Sequence, residues 1–157
     1  MRKIHLVTAL SIGYCLAAQA DEVTDWNRIL FQADLTAKTP PILTSRNAAI
    51  VQASVFDAVN GIERRYTPVH VTPAAPSGAS VRAAAVAAAH AALAKIYTAQ
   101  QQFLNEKFAA SFAAIAAQPA AEHSRSIAQG IEWGRSVAEA IWTWRSGDGI
   151  AATLRRS

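Results

Sequence analysis

The chain has 157 residues, of which 52% are hydrophobic and 17% charged. That length suits one domain with a modest core, and that apolar fraction excludes general disorder. The 15 Lys and Arg outnumber the 11 acids, giving a net charge of +4, but the basic residues are scattered. A nucleic-acid-binding stripe is therefore excluded, and no nucleic-acid partner is expected.

The first twenty residues read as a cleaved export signal. Arg2 and Lys3 make a positive start, and LVTALSIGYCLAA is an apolar stretch too short and too interrupted to span a membrane. AAQA then places small residues at Ala18 and Ala20, ahead of Asp21 and Glu22. The alternative is a retained N-terminal anchor. Cys15 follows bulky Tyr14, which argues against lipidation. Residues 1–20 carry Arg2 and Lys3, so cleavage leaves 13 basic residues against 11 acids and a mature charge of +2. The single cysteine departs with the signal, and stability must then come from packing without a disulfide. The expected location is periplasmic or secreted, with no stable membrane span.

The mature chain reads as helices and loops. TDWNRILFQADLTA has Thr24 or Asp25 as an N-cap and a stripe of Trp26, Ile29, Leu30, Ala33 and Ala37. Pro40-Pro41 ends it. TSRNAAIVQASVFDAVNGIERRY begins at a Thr44 or Ser45 cap and aligns Ala48, Val51, Val55, Val59 and Ile62. TPVHVTPAAPSGAS follows, an irregular connection long enough to wrap a core or cover a partner. Ser80 caps the alanine-rich VRAAAVAAAHAALAKIY, whose small residues permit close approach of a neighbouring helix. A break near Thr98 precedes QQQFLNEKFAASFAAIAAQ, with Leu104, Phe108, Ser111, Phe112 and Ile115 inward.

The last helix, AEHSRSIAQGIEWGRSVAEAIWTWRS, carries two apolar stripes. One is Ile127, Ile131, Gly134, Ala138 and Ile141. The other is Trp133, Val137, Ala140 and Trp144. Two stripes call for burial on more than one side, or leave Trp133 and Trp144 partly exposed. The tryptophan side is a candidate surface for homo-oligomerisation. Gly147–Gly149 terminate the helix. No strand-like alternation, fixed-period repeat or heptad run occurs. The predicted fold is all-α, about five helices in a bundle-like or orthogonal array. The predicted domain spans residues 21–149, with 150–157 as a short tail.

Residues able to do chemistry are few. His70, His90 and His123 fall in different segments, without HExxH or an i, i+4 pair. His90, inside the alanine-rich helix, reads as a packed, hydrogen-bonded side chain, and His123 as solvated. Arg64, Arg65 and His70 could meet an anion together, although paired arginines at a helix end also complement the helix dipole. Asp25, Asp34, Asp57 and Glu63 are spread over two helices. Asp57, within the apolar VFDAVN, needs a partner, and an arginine such as Arg28 or Arg46 would make a structural salt bridge. GxSxG, a P-loop, a Rossmann fingerprint and CxxCH are all missing.

Four phrases, in order, resemble one family. VTDWNRIL, TPPILTSRNAAIVQASVFDAVNGIERRYTPVHV, AAPSGASVRAAAVAAAHAAL and WRSGDG are similar to the N-terminal helical portion of bacterial vanadium-dependent haloperoxidase-like proteins. These belong to the type 2 phosphatidic acid phosphatase superfamily, which includes acid phosphatases. The resemblance runs from about Val23 to about Thr153. It implies a helical scaffold whose full-length relatives bind vanadate or phosphate through KxxxxxxRP, PSGH and SRxxxxxxH. Cationic and N–H donors there hold the oxyanion, with one histidine nitrogen axial. This sequence has none of the three. PSGA at 76–79 has Ala79 in the histidine's place, and the residue seven beyond Arg125 is Glu132. No catalytic, cofactor-binding or metal-binding residue is carried over.

Three functions remain in view. The chain is a truncated member of this family, inactive alone, whose match fades near Thr153. It is instead a stand-alone exported binding or interaction module. Or it is a small enzyme acting on an anionic substrate through Arg64, Arg65 and His70.

Overall fold

The computed structural model describes residues 22–117 and 123–150. The predicted signal and the end of the tail lie outside them. Among the described residues there are five α-helices and no strand: α1 (Glu22–Ala37), α2 (Pro41–Glu63), α3 (Val81–Ile96), α4 (Gln101–Ala116) and α5 (Ser124–Ser146). A short 3-10 turn, Thr98–Gln100, marks the break expected near Thr98. None of these helices is long and apolar enough to cross a membrane.

The all-α expectation holds, with corrections in detail. α2 starts at Pro41, three residues before the expected Thr44 or Ser45 cap. A proline at the first helical position loses no bond, because that N–H has no intrahelical acceptor, and its fixed φ suits the helix. α1 ends as expected before the two prolines, with Lys38 in the left-handed region. Its buried stripe closes on Asp34 rather than Ala37. Ser80 caps α3 as read from sequence, its Oγ accepting the Ala83 N–H at 3.0 Å.

The central helix is α3. Ala83 through Ala89, Ala92 and Leu93 are buried around its whole circumference, and it packs on α1, α2, α4 and α5. A helix apolar on every side has no surface to give to water. α5 runs parallel to α3 and lays Gly130 and Gly134 on the alanine surface. A Cβ at Gly134 would stand 2.3 Å from the Ala84 carbonyl oxygen and 3.0 Å from the Ala88 nitrogen. One at Gly130 would stand 2.5 Å from the Ser80 carbonyl oxygen. Both obstacles are backbone, so neither can turn aside.

The second stripe of α5 is covered by α2. Trp133 donates its indole N–H to the Ala58 carbonyl at 2.9 Å, and its ring fills the space above Gly61. A Cβ there would lie 2.4 Å from Trp133 Cζ2, so Gly61 is a seat for the indole. Trp144 is 44% exposed.

Ala is the better helix former by about 1 kcal/mol, yet Gly134→Ala is expected to lower stability by about 2 kcal/mol, because the new methyl meets fixed backbone. The midpoint of urea unfolding measures it, and a rise would contradict the close α3–α5 seam.

Candidate functional site

Asp57, Glu63, Arg64, Arg65 and His70 fall around the C-terminal half of α2 and the connection that follows. Asp57 is fully buried. Its carboxylate pairs with no arginine. It accepts three backbone N–H bonds, from Val69 at 2.7 Å and from His70 and Val71 at 2.8 Å each. The two arginines considered for it are engaged elsewhere. Arg28 bonds Asp25 on its own helix at 2.8 Å, and Arg46 reaches Asp148 at 2.7 Å. Consecutive amides beat an arginine here because the chain folds straight back over α2, within reach of a short carboxylate. Charge-assisted bonds to N–H groups offset the cost of burying the anion.

Asn60, one turn further along, does the same for the start of the loop. Its Oδ1 accepts from the Arg65 and Tyr66 amides, and its Nδ2 donates to the Tyr66 carbonyl at 2.7 Å. Arg64 takes the left-handed conformation that ends α2. Asp57 and Asn60 thus hold the 64–71 segment as a strap along the helix. The long connection wraps the core.

The strap sends its polar side chains to different partners. Arg65 lies 3.5 Å from Glu63. The His70 ring stacks on Trp144, with centroids 4.6 Å apart and planes 7° from parallel. Arg64 lines a cavity of about 210 Å³ with Asn60, Gly61, Tyr66 and Thr72. The three donors proposed for an anion are therefore not joined in one site. The amides of Val69, His70 and Val71 would suit an oxyanion, but Asp57 already fills them. These residues do not fit vanadate or phosphate. Among the described residues no group of three or more His, Asp or Glu could hold a metal.

PSGA at 76–79 is a tight turn, with Gly78 at φ +79° and the Ala79 N–H returning to Pro76 at 3.2 Å. Ser126 donates its hydroxyl to the Gly78 carbonyl at 2.6 Å, and its own carbonyl receives the Ser80 N–H. The Pro76–Ala79 turn and the first turn of α5 therefore meet, as a joint between the starts of α3 and α5. At the other end of α5, Arg46 also donates to the Arg145 carbonyl at 2.9 Å. The Arg46 guanidinium holds the Asp148 carboxyl below the usual carboxylate range.

Two further polar clusters lie within the bundle, and the first carried little signal in sequence. Tyr97 donates its hydroxyl to Asp34 and accepts from Asn47 Nδ2 at 3.0 Å, with Thr39 at 3.4 Å. Burial, and then the hydrogen bond to the Asp34 carboxylate, raise the Tyr97 phenol above its ordinary value. The one clue was Asp34, a single turn beyond Leu30 on the buried stripe. The second cluster is His90, half-buried between Trp26 and Phe108, with Nε2 2.9 Å from Asn105 Oδ1. This is the hydrogen-bonded packing role expected of it. His123 is the exposed residue preceding α5. In comparisons with known proteins, no family model, curated protein or solved structure matches this chain.

Asp57→Asn swaps one acceptor oxygen for a donor that faces amides, so it is expected to lower stability by on the order of 3 kcal/mol. Proteolysis within the strap should rise with it. A variant as stable and as resistant as the wild type would remove the carboxylate from its anchoring role.

Proposed function

We propose that this chain is a helical scaffold of the vanadium-dependent haloperoxidase-like kind, periplasmic or secreted, and that it is not itself a catalyst. The observation that carries this reading is where the resembling phrases fall. Their polar residues are spent on internal joints: Arg46 with Asp148, Asp57 and Asn60 on the strap, and Ser80 at the start of α3. Two phrases far apart in sequence, TSRNAAIV and WRSGDG, meet through the Arg46–Asp148 pair. Phrases that serve to hold helices together are what a scaffold would retain. With the strap amides taken by Asp57, an incoming oxyanion finds no ready set of donors, which supports a non-catalytic role.

The purified protein is expected to hydrolyse no phosphomonoester above background, and to gain no bromide oxidation when vanadate is added. Turnover of either kind, abolished by substituting His70, would favour the small-enzyme reading instead.

A second reading, a stand-alone interaction module, is favoured by one feature. Phe31, Leu35 and Ile42 are 57%, 80% and 65% exposed around the α1–α2 turn. Phe31 and Leu35 are one helical turn apart on α1, and exposed apolar side chains that form a patch mark contact surfaces more often than singly scattered ones do. For the α5 surface, Trp133 is already committed to α2, which leaves Trp144 for homo-oligomerisation. Sedimentation at micromolar concentration separates the readings. A stable dimer weakened by Trp144→Ala or Leu35→Ser supports the module, and a monomer supports the scaffold.

A further inference from the structure

α4 is the helix least buried in the bundle, with only Leu104 and Ile115 fully enclosed. Two side-chain hydrogen bonds tie its outer part to the rest. Trp26 of α1 donates to Ser111 Oγ at 3.2 Å, and His90 of α3 meets Asn105 at 2.9 Å. The same imidazole is packed between two aromatic rings. Trp26 stands edge-on at 6.0 Å, Phe108 lies at 4.3 Å, and Phe108 in turn packs on Phe112 at 4.5 Å. The bond to an amide oxygen makes Nε2 the protonated nitrogen. Nδ1 is buried and has no partner.

We propose that His90 is an acid-sensitive latch: the neutral ring holds α4 against α1 and α3, and protonation loosens α4 while the α2–α3–α5 core stays packed. A second proton must go to Nδ1, which meets neither an acceptor nor water. An added cation also finds no counter-ion. α5 brings Arg135, a like charge, lying over the Phe108 ring at 5.5 Å. α1 brings uncharged Trp26, and its neighbours Asp25 and Arg28 are paired with each other. On α4, Glu106 takes the Gln102 amide and Lys107 lies over Phe103. On α3 itself, Lys95 is paired with Glu139.

Burial first, and the Arg135 charge in addition, lower the His90 pKa from the ordinary 6.5, against an upward pull from the Asn105 bond. The direction of the pH effect follows. Above about 6.5 the ring is neutral whether α4 is docked or released, and docking is at full strength. As pH falls below that value, the released state takes up a proton that the docked state refuses. Docking therefore weakens with acidification. Release would uncover the apolar edge made by Trp26, Leu104, Phe108, Phe112 and Ile115.

Amide hydrogen exchange on the whole protein at about pH 7.5 and about pH 5, corrected for intrinsic rates, tests the latch. Protection in α4 is expected to drop several-fold relative to α3 on acidification. His90→Gln, whose amide can still donate to Asn105 and does not titrate, should keep α4 protection level across the same range. Asn105→Asp sits on the exposed side of α4 and gives the imidazolium a counter-ion, so its α4 protection should hold or rise in acid. Wild-type α4 protection that is insensitive to pH would overturn the proposal. So would an equal drop in His90→Gln, or, if that variant does not fold, an undiminished drop in Asn105→Asp.

Discussion

The steric limit at the centre of the bundle governs the rest of the fold. α3 presents alanine on almost every side, and alanine fills little volume. Neighbouring helices must then come very close, or leave voids whose lining atoms lose their contacts. α5 meets this demand with Gly130 and Gly134, which bring backbone against backbone. That closeness fixes how far α5 can slide along α3. It also brings the start of α5 to the Pro76–Ala79 turn and its end to Arg46. α2 closes the third side, with the Trp133 indole seated over Gly61 supplying the bulk that alanine does not.

A core of small residues yields only modest apolar burial for each residue, and the chain supplements it with polar ties. Asp57 and Asn60 fasten the strap, Arg46 and Asp148 join α2 to the end of α5, and Tyr97 links Asp34 to Asn47. Each tie satisfies groups that would be costly if buried without partners. The strap shows why a carboxylate was retained inside an otherwise apolar stretch of α2. It collects three amides that an irregular segment cannot pair within itself. An anion supplied by the protein itself occupies what would elsewhere be an anion-binding loop. Those three amides are therefore not free for another anion.

α4 stands apart from that logic. It is held by aromatic packing and by a few side-chain hydrogen bonds, His90 to Asn105, Trp26 to Ser111 and Gln101 to the Ala94 carbonyl, and it neighbours cavities of about 370 Å³ along α1. Local stability in proteins is uneven, and segments with few enclosed contacts open first. A titratable ring at such a joint couples the opening to solution conditions.

Much of this was legible in the chain itself. Helical spacing, the Ser80 cap, the two prolines and the break near Thr98 are local signals, and they placed five helices. What the residues could not reveal were the partners across helices. Asp57 demanded a partner on grounds of burial alone, but an arginine and a run of backbone amides satisfy that demand equally well in sequence. Only the path of the strap decided between them. Likewise, α5 showed two apolar stripes and α3 a nearly featureless run of alanine, and neither pattern says which helix is central. Packing puts α3 there, because the smallest side chains allow the closest approach on all sides. Spacing along a chain determines which face a residue occupies, and only tertiary structure decides what that face meets.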